Sequence, residues 1–132
     1  MAKLKVLLID DEPDFLRIMG LHIKSWGYDL VTASSGEEGI AAVKCDEPHI
    51  VILDYVMPDM DGIKVLKLIR KIDSDLPVIM FTANPDIKSI KGSKRLKVSA
   101  YIPKFCLYTN MPSAVKEELD KIKKTVEHSS RA

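Results

Sequence analysis

Short unbroken apolar runs alternate along this chain with longer stretches in which apolar positions recur every three or four residues. Val6-Leu7-Leu8-Ile9 is a continuous apolar run that closes on acid. A run of that length without polar alternation fits a strand covered on both faces. Residues 13–26 then carry Phe15, Ile18, Met19, His22 and Ile23 at i, i+3, i+4, i+7 and i+8, one face of a helix. Gly27 stands where such a helix stops in a left-handed conformation. Residues 29–33 read as a second strand. Ser35 caps the next helix, and Glu38 three residues on completes a capping box. Ile40, Ala41 and Val43 supply the apolar side of that helix.

The alternation continues. Residues 50–53 form a third buried strand ending at Asp54, and residues 62–72 present Ile63, Leu66, Ile69 and Ile72 as a helical stripe. Pro77 breaks the chain before a fourth strand that ends at Thr82. Asn84-Pro85 is an N-cap followed by proline at the first helical position. Residues 100–102 make a short fifth strand before Lys104, and Pro103, which lacks an N–H, suits the edge of a sheet. Val115, Leu119, Ile122 and Val126 share one face of a last helix over residues 112–127. Five strands alternating with five helices predict an α/β domain: a parallel sheet with helices on both faces, in three α/β/α layers. The chain reads as one domain over residues 3–127, with 128–132 a disordered tail.

Ligands of such sheets bind beyond the carboxyl ends of the strands. Four chemical signals fall at those ends in order: Asp10-Asp11, Asp54, Thr82 and Lys104. Three carboxylates at ~4 Å and an effective dielectric of ~20 repel by on the order of 4 kcal/mol per pair. A hard cation relieves that repulsion, and Mg²⁺ (with Mn²⁺ an acceptable substitute) takes oxygen ligands and shares itself with phosphate. Asp54 is then a carboxylate able to attack phosphorus. The Lys104 ammonium can neutralise a second phosphoryl oxygen, and the Thr82 hydroxyl with backbone N–H groups near Ala83 can hold the third.

Composition narrows the setting. The formal net charge of +1 over 132 residues points to neither nucleic acid nor an anionic membrane surface. The apolar runs are strand-length, so no membrane span is expected. Met1-Ala2-Lys3-Leu4 runs straight into the first strand without the pattern of a signal peptide. Two cysteines, Cys45 and Cys106, are too few for a disulfide framework; both are read as small apolar filler in a reducing cytoplasm.

Over residues 3–126 the chain resembles a response-regulator receiver domain. The matching stretches are Val6-Leu7-Leu8-Ile9-Asp10-Asp11-Glu12, Val51-Ile52-Leu53-Asp54-Tyr55-Val56-Met57-Pro58-Asp59-Met60-Asp61-Gly62, Phe81-Thr82-Ala83 and Tyr101-Ile102-Pro103-Lys104-Phe105. The second is very specific: an Asp, Met-Pro three residues on, then Asp-Gly before a helix. The resemblance implies a flavodoxin-like doubly wound sheet of order 2-1-3-4-5. It implies Asp54 as phosphoacceptor, Asp11 as direct Mg²⁺ ligand, Asp10 acting through water, and the Val56 backbone carbonyl in the metal shell. Thr82 and Tyr101 resemble the family's switch pair, and Lys104 its phosphate-binding lysine. The implied role is regulatory rather than enzymatic: a stand-alone switch of a two-component system in the cytoplasm. It would take phosphate from a sensor histidine kinase or a histidine phosphotransfer protein. It would then signal to a downstream protein through the surface of the fourth and fifth predicted helices and the fifth strand.

The chain departs from the family pattern in three places. Phe105 follows Lys104 where the family has proline, and the proline here is Pro103. Lys97-Val98 replaces Gly-Ala before the fifth strand, so the fourth predicted helix lacks its glycine stop and carries the weakening pair Gly92-Ser93. Lys88, Lys91, Lys94, Arg95 and Lys97, opposed only by Asp86, make that segment basic: a solvated face, or a docking surface for an acidic partner. Val56 and Asn84 flank the phosphorylation site, and an apolar Val56 side chain, unable to orient water, favours slow self-dephosphorylation. Three other readings compete. A Mg²⁺ phosphatase of the haloacid-dehalogenase type would need Asp-x-Asp after the first strand, where Asp10-Asp11-Glu12 stands. A flavodoxin-like cofactor carrier would place phosphate against that same acidic triplet. A phosphorylation-independent pseudo-receiver is opposed by the intact acidic set and kept open by the altered Lys104 loop.

Overall fold

The computed structural model describes residues 3–82, 91, 94–103 and 111–130. Five parallel strands, β1 (Lys5–Ile9), β2 (Asp29–Ala33), β3 (Ile50–Asp54), β4 (Val78–Thr82) and β5 (Ala100–Pro103), form one sheet in the order β2-β1-β3-β4-β5. The order reverses between β1 and β3, and the short β5 lies at the edge. Four helices are found among the described residues: α1 (Pro13–Ser25), α2 (Gly36–Asp46), α3 (Gly62–Ile72) and α4 (Met111–Ser130). The helix predicted from Asn84 onward falls largely outside them, although Lys91, Lys94 and Arg95 are helical.

Side-chain alternation along each strand divides the core in two. Val6 and Leu8 of β1, Ile50 and Ile52 of β3, and Ile79 and Phe81 of β4 pack against Phe15, Met19 and Ile23 of α1 and Val115, Leu119 and Ile122 of α4. On the other face, Leu7, Ile9, Val51, Leu53, Val78 and Met80 meet Val43 of α2 and Val65, Leu66 and Ile69 of α3. Burying both faces of β1 and β3 requires the unbroken apolar runs seen in the sequence.

The α1 C-terminus closes as the sequence predicts. Gly27 has φ +93°, its N–H donates to the Lys24 carbonyl at 3.1 Å, and the Tyr28 N–H reaches the Ile23 carbonyl at 3.4 Å. This is a Schellman arrangement, with Tyr28 and Ile23 both in the core. The predicted capping box of α2 is only half formed. Ser35 Oγ accepts from the Glu38 N–H at 3.1 Å, but the Glu38 carboxylate turns to the N–H and hydroxyl of Ser34 instead of Ser35.

Several inward faces also differ from expectation. On α2, Ala41 is exposed and Gly39 faces the sheet, because a side chain there would meet Ile9 Cδ1 at 2.5 Å. On α3, Val65 is buried and Ile72 is 40% exposed. Cys45 is exposed rather than filler, and Cys106 falls outside the described residues. The backbone of α4 stays helical to Ser130, past the boundary at 127 read from the sequence, while residues 131 and 132 lie outside the described set.

The missing glycine stop before β5 has a structural answer. Lys97 itself adopts the left-handed conformation, φ 60°, and its N–H donates to the Lys94 carbonyl at 3.1 Å. Arg70 of α3 holds this turn. Its Nε donates to the Leu96 carbonyl at 2.7 Å and a terminal nitrogen to the Lys97 carbonyl at 3.2 Å, while another donates to the Leu76 carbonyl at 2.7 Å. A lysine at positive φ is strained where glycine is not. Lys97→Gly should therefore stabilise the domain by about 1 kcal/mol. A denaturant midpoint that falls would show that the Lys97 side chain contributes more than its backbone costs.

Candidate functional site: an acidic cluster at the switch point

The carboxyl ends of β1 and β3 lie side by side where the strand order reverses, and each delivers an acid. Asp10 is 0% exposed and Asp54 4%, the only buried charged side chains among the described residues. Such groups are costly to bury without compensation. Local geometry explains how a third acid joins them. The Asp10 N–H donates to the Ala33 carbonyl at 3.1 Å, which continues the sheet one residue past β1. Asp10 Oδ1 then accepts from the Glu12 N–H at 2.8 Å, a side-chain-to-backbone turn two residues long. That turn brings the Glu12 carboxylate back over the site. Glu12 is the N-cap residue of α1 but does not cap it with its side chain, and Pro13 begins the helix without an N–H to satisfy. One carboxylate oxygen from each of Asp10, Glu12 and Asp54 lies within 4.8 Å of the others.

Asp54 is held by the backbone on both sides. It pairs in register with Phe81, and the Tyr55 N–H donates to the Phe81 carbonyl at 2.8 Å. Phe15 meets the Phe81 ring edge to face, centroids 5.5 Å apart, and closes the apolar floor below. After Asp54 the chain turns so that the Gly62 N–H donates to the Tyr55 carbonyl at 2.6 Å. A Cβ on Gly62 would stand 2.6 Å from Tyr55 Cα and 2.9 Å from the Asp54 carbonyl oxygen. Only glycine permits α3 to start this close to the strand end.

The loop between β3 and α3 is also tied to α2. The two oxygens of Asp59 accept from the Gly36 and Glu37 N–H groups, each at 3.0 Å, at the positive end of the α2 dipole. These bonds hold the Asp59 carboxyl below its ordinary range. A depressed folded-state pKa gives stability that is present above the unfolded value of about 3.9 and lost as pH falls through the folded one. Asp59→Ala should cost about 1 kcal/mol at neutral pH, as capping losses do. The gap from wild type should close on acidification below pH ~4. A gap that stays constant with pH would mean the carboxylate is not responsible.

The residues predicted from sequence fall as follows. Asp10 and Asp54 are brought together, and Glu12 joins them. Asp11 is half-buried and is not among the three. Val56 follows in the loop with its side chain 58% exposed, and its N–H lies 3.4 Å from Asp54 Oδ1. Thr82 ends β4 opposite Pro103, and Tyr101 of β5 is half-buried against the core face of α2 and α3. Ala83, Lys104 and Phe105 lie outside the described residues. Sequence reasoning passed over Glu12; the signal was the third acid of the triplet, placed where a two-residue turn could fold it back.

Three hard carboxylates, two of them buried, fit a divalent cation of the Mg²⁺ class, which takes oxygen ligands and keeps several waters. A family model for the response regulator receiver domain matches residues 6–116. The chain belongs to the response-regulator receiver family. Among curated proteins it is 39% identical over 104 residues to a probable transcriptional regulator, ycf27, of Porphyridium aerugineum, covering 79% of this chain and 43% of that one. It is 35% identical over 99 residues to the transcriptional regulatory protein GlrR of Escherichia coli, covering 75% of this chain and 22% of that one. The chain thus spans less than half the length of these relatives. In solved structures the receiver fold recurs in a CheY-like domain of Methanospirillum hungatei (TM-score 0.83, 24% identity, 94% of this chain and 99% of that one). It recurs again in the CheX-CheY-BeF3-Mg²⁺ complex of Borrelia burgdorferi (TM-score 0.82, 27% identity, 90% and 88%). No helix among the described residues is long and apolar enough to cross a membrane.

Proposed function

We propose that this receiver is a phosphoacceptor switch of a two-component system, modified on Asp54 with Mg²⁺ or Mn²⁺ as the required ion. The observation that carries this is the convergence of Asp10, Glu12 and Asp54 at the switch point of the sheet. Asp10 and Glu12, with Asp11 and the Val56 carbonyl as the family resemblance adds, are the groups that would hold the ion. When bound, the ion neutralises charge on a phosphoryl oxygen. Asp54 supplies the nucleophile: a carboxylate oxygen forms the new O–P bond as the N–P bond of a donor phosphohistidine breaks, and the imidazole nitrogen keeps the electron pair. Thr82, Lys104 and the N–H near Ala83 hold the remaining oxygens. The donor is a sensor histidine kinase or a histidine phosphotransfer protein, and the setting is the cytoplasm.

The added charge and acceptors then act on a bistable element. Thr82 moves toward the phosphoryl group, Tyr101 turns inward, and the face expected from the fourth predicted helix, β5 and α4 changes its affinity for a downstream protein. The exposed aliphatic Val56 cannot orient an attacking water, which supports a slow loss of the phosphoryl group. The protein is regulatory, its only chemistry being its own phosphorylation and dephosphorylation.

The test is intact-protein mass spectrometry after incubation with acetyl phosphate and Mg²⁺. The wild type should gain about 80 Da, and neither Asp54→Ala nor the wild type with excess chelator should. An unmodified wild type, or a modified Asp54→Ala, would remove this reading and favour a phosphorylation-independent module.

A further inference from the structure

Beside the acidic cluster, but outside it, an open groove of about 700 Å³ runs between α3 and the side chains of Lys91, Arg95 and Leu96. Its floor is apolar: Tyr55, Ile63 and Leu96, all half-buried. Its walls are cationic. Lys64 and Lys67, three apart on α3, face Lys91 and Arg95, four apart on the opposite side, and all four are exposed. None of these four makes an ion pair among the described residues. The contrast with α4 is direct, since Lys116 there meets Asp120 at 2.7 Å and Lys121 meets Glu118 at 3.3 Å. Among the described residues one acid lines the groove, Asp61, and it is already engaged: its carboxylate accepts from the Lys64 N–H at 2.8 Å as the N-cap of α3. Four cations are therefore concentrated around an apolar trough in a chain whose net charge is only +1.

From this we infer that the groove is a docking site for an acidic amphipathic segment of a partner protein. Carboxylates of the segment engage both cationic walls while one or two apolar side chains fill the floor. Charge complementarity selects the partner, and the apolar floor gives it an anchor. A nucleic-acid backbone would satisfy the cations and leave Ile63 and Leu96 wet. The site does not use the carboxylates of the phosphoacceptor cluster, so it stands apart from the phosphorylation chemistry proposed above.

The experiment is fluorescence anisotropy with a labelled peptide in which glutamates flank leucine and phenylalanine, at about 0.1 M salt. Wild type should bind it. The double charge reversal Lys67→Glu with Arg95→Glu should weaken binding at least about tenfold. The matched reversal Lys3→Glu with Lys124→Glu, both exposed and away from the groove, should leave binding within about twofold. A peptide with serine in place of its apolar residues should lose most of the affinity. Amide shifts on titration should centre on Ile63, Lys67 and Leu96. Equal weakening by both double reversals, or equal affinity for the serine peptide, would reduce the groove to nonspecific charge and overturn the proposal. So would the absence of binding, or displacement of the peptide by random duplex DNA at lower concentration than by the unlabelled peptide.

Discussion

Gly62→Ala should destabilise this receiver by about 2 kcal/mol and slow the modification of Asp54 by acetyl phosphate at least tenfold. The position of the new methyl group decides the size of the effect. It would lie 2.6 Å from Tyr55 Cα and 2.9 Å from the Asp54 carbonyl, distances that real Cβ atoms do not adopt. Flexible side chains can move aside at little cost, as Met60 could for a substitution at Gly36. Backbone at the end of a buried strand cannot, because Asp54 is fixed to Phe81 and Tyr55 to both Phe81 and Gly62. Relief therefore has to come from moving the start of α3 or the Asp54 strand end itself. Overpacking of this kind typically costs 1–3 kcal/mol. A displacement of ~1 Å at a reacting group costs on the order of a hundredfold in rate. Chemical denaturation and a phosphorylation time course would measure the two losses separately. An alanine variant with wild-type stability and rate would show that the loop carries slack the geometry does not reveal.

The second large effect has the opposite sign. Asp54→Asn should stabilise the metal-free protein by about 1–3 kcal/mol while removing most of its stabilisation by Mg²⁺. Three carboxylate oxygens within 4.8 Å of one another repel even in a partly screened environment. At an effective dielectric of ~20 each full pair costs roughly 3 kcal/mol, and neighbouring groups offset part of that. Asparagine keeps the shape of Asp54 and deletes its charge, so two of the three repulsive pairs disappear. In wild type the ion proposed above would relieve the same strain, and its binding to the folded state would raise the melting temperature by mass action. Thermal melts of both proteins with chelator and with millimolar Mg²⁺ should show the variant higher without the ion and nearly indifferent to it. A variant less stable than wild type in chelator would mean that Asp54 is a net stabilising partner in the fold.

Both effects come from a part of the molecule that was only partly legible in the sequence. The strands were readable because β1 and β3 are covered on both faces, and burial on both faces demands consecutive apolar residues that no exposed element needs. Asp10 and Asp54 were readable for the same reason, since a charge that ends such a run must lie at the sheet edge. The helices were legible as helices but not always in their inward face. Period alone placed Ile72 and Ala41 inward; the structure buries Val65 and Gly39, because the closeness of a helix to Ile9 or Met60 depends on the twist of the sheet beneath it. Glu12 entered the cluster through a hydrogen bond from its own N–H to Asp10, a two-residue event that a pattern of spacing does not record. The sequence offered no glycine stop before β5, yet Lys97 takes the left-handed conformation there, and Arg70, remote in sequence, holds the Leu96 and Lys97 carbonyls.

By itself the sequence determined the alternating α/β plan and the placing of Asp10 and Asp54 at strand ends on one sheet edge, because hydrophobic period and strand-end placement are local properties of the chain. Only the tertiary structure decided which third carboxylate joins the cluster and why α3 must begin with glycine. It alone brought Lys64 and Lys67 opposite Lys91 and Arg95. Those are relations between segments far apart along the chain, set by how closely packed layers approach one another.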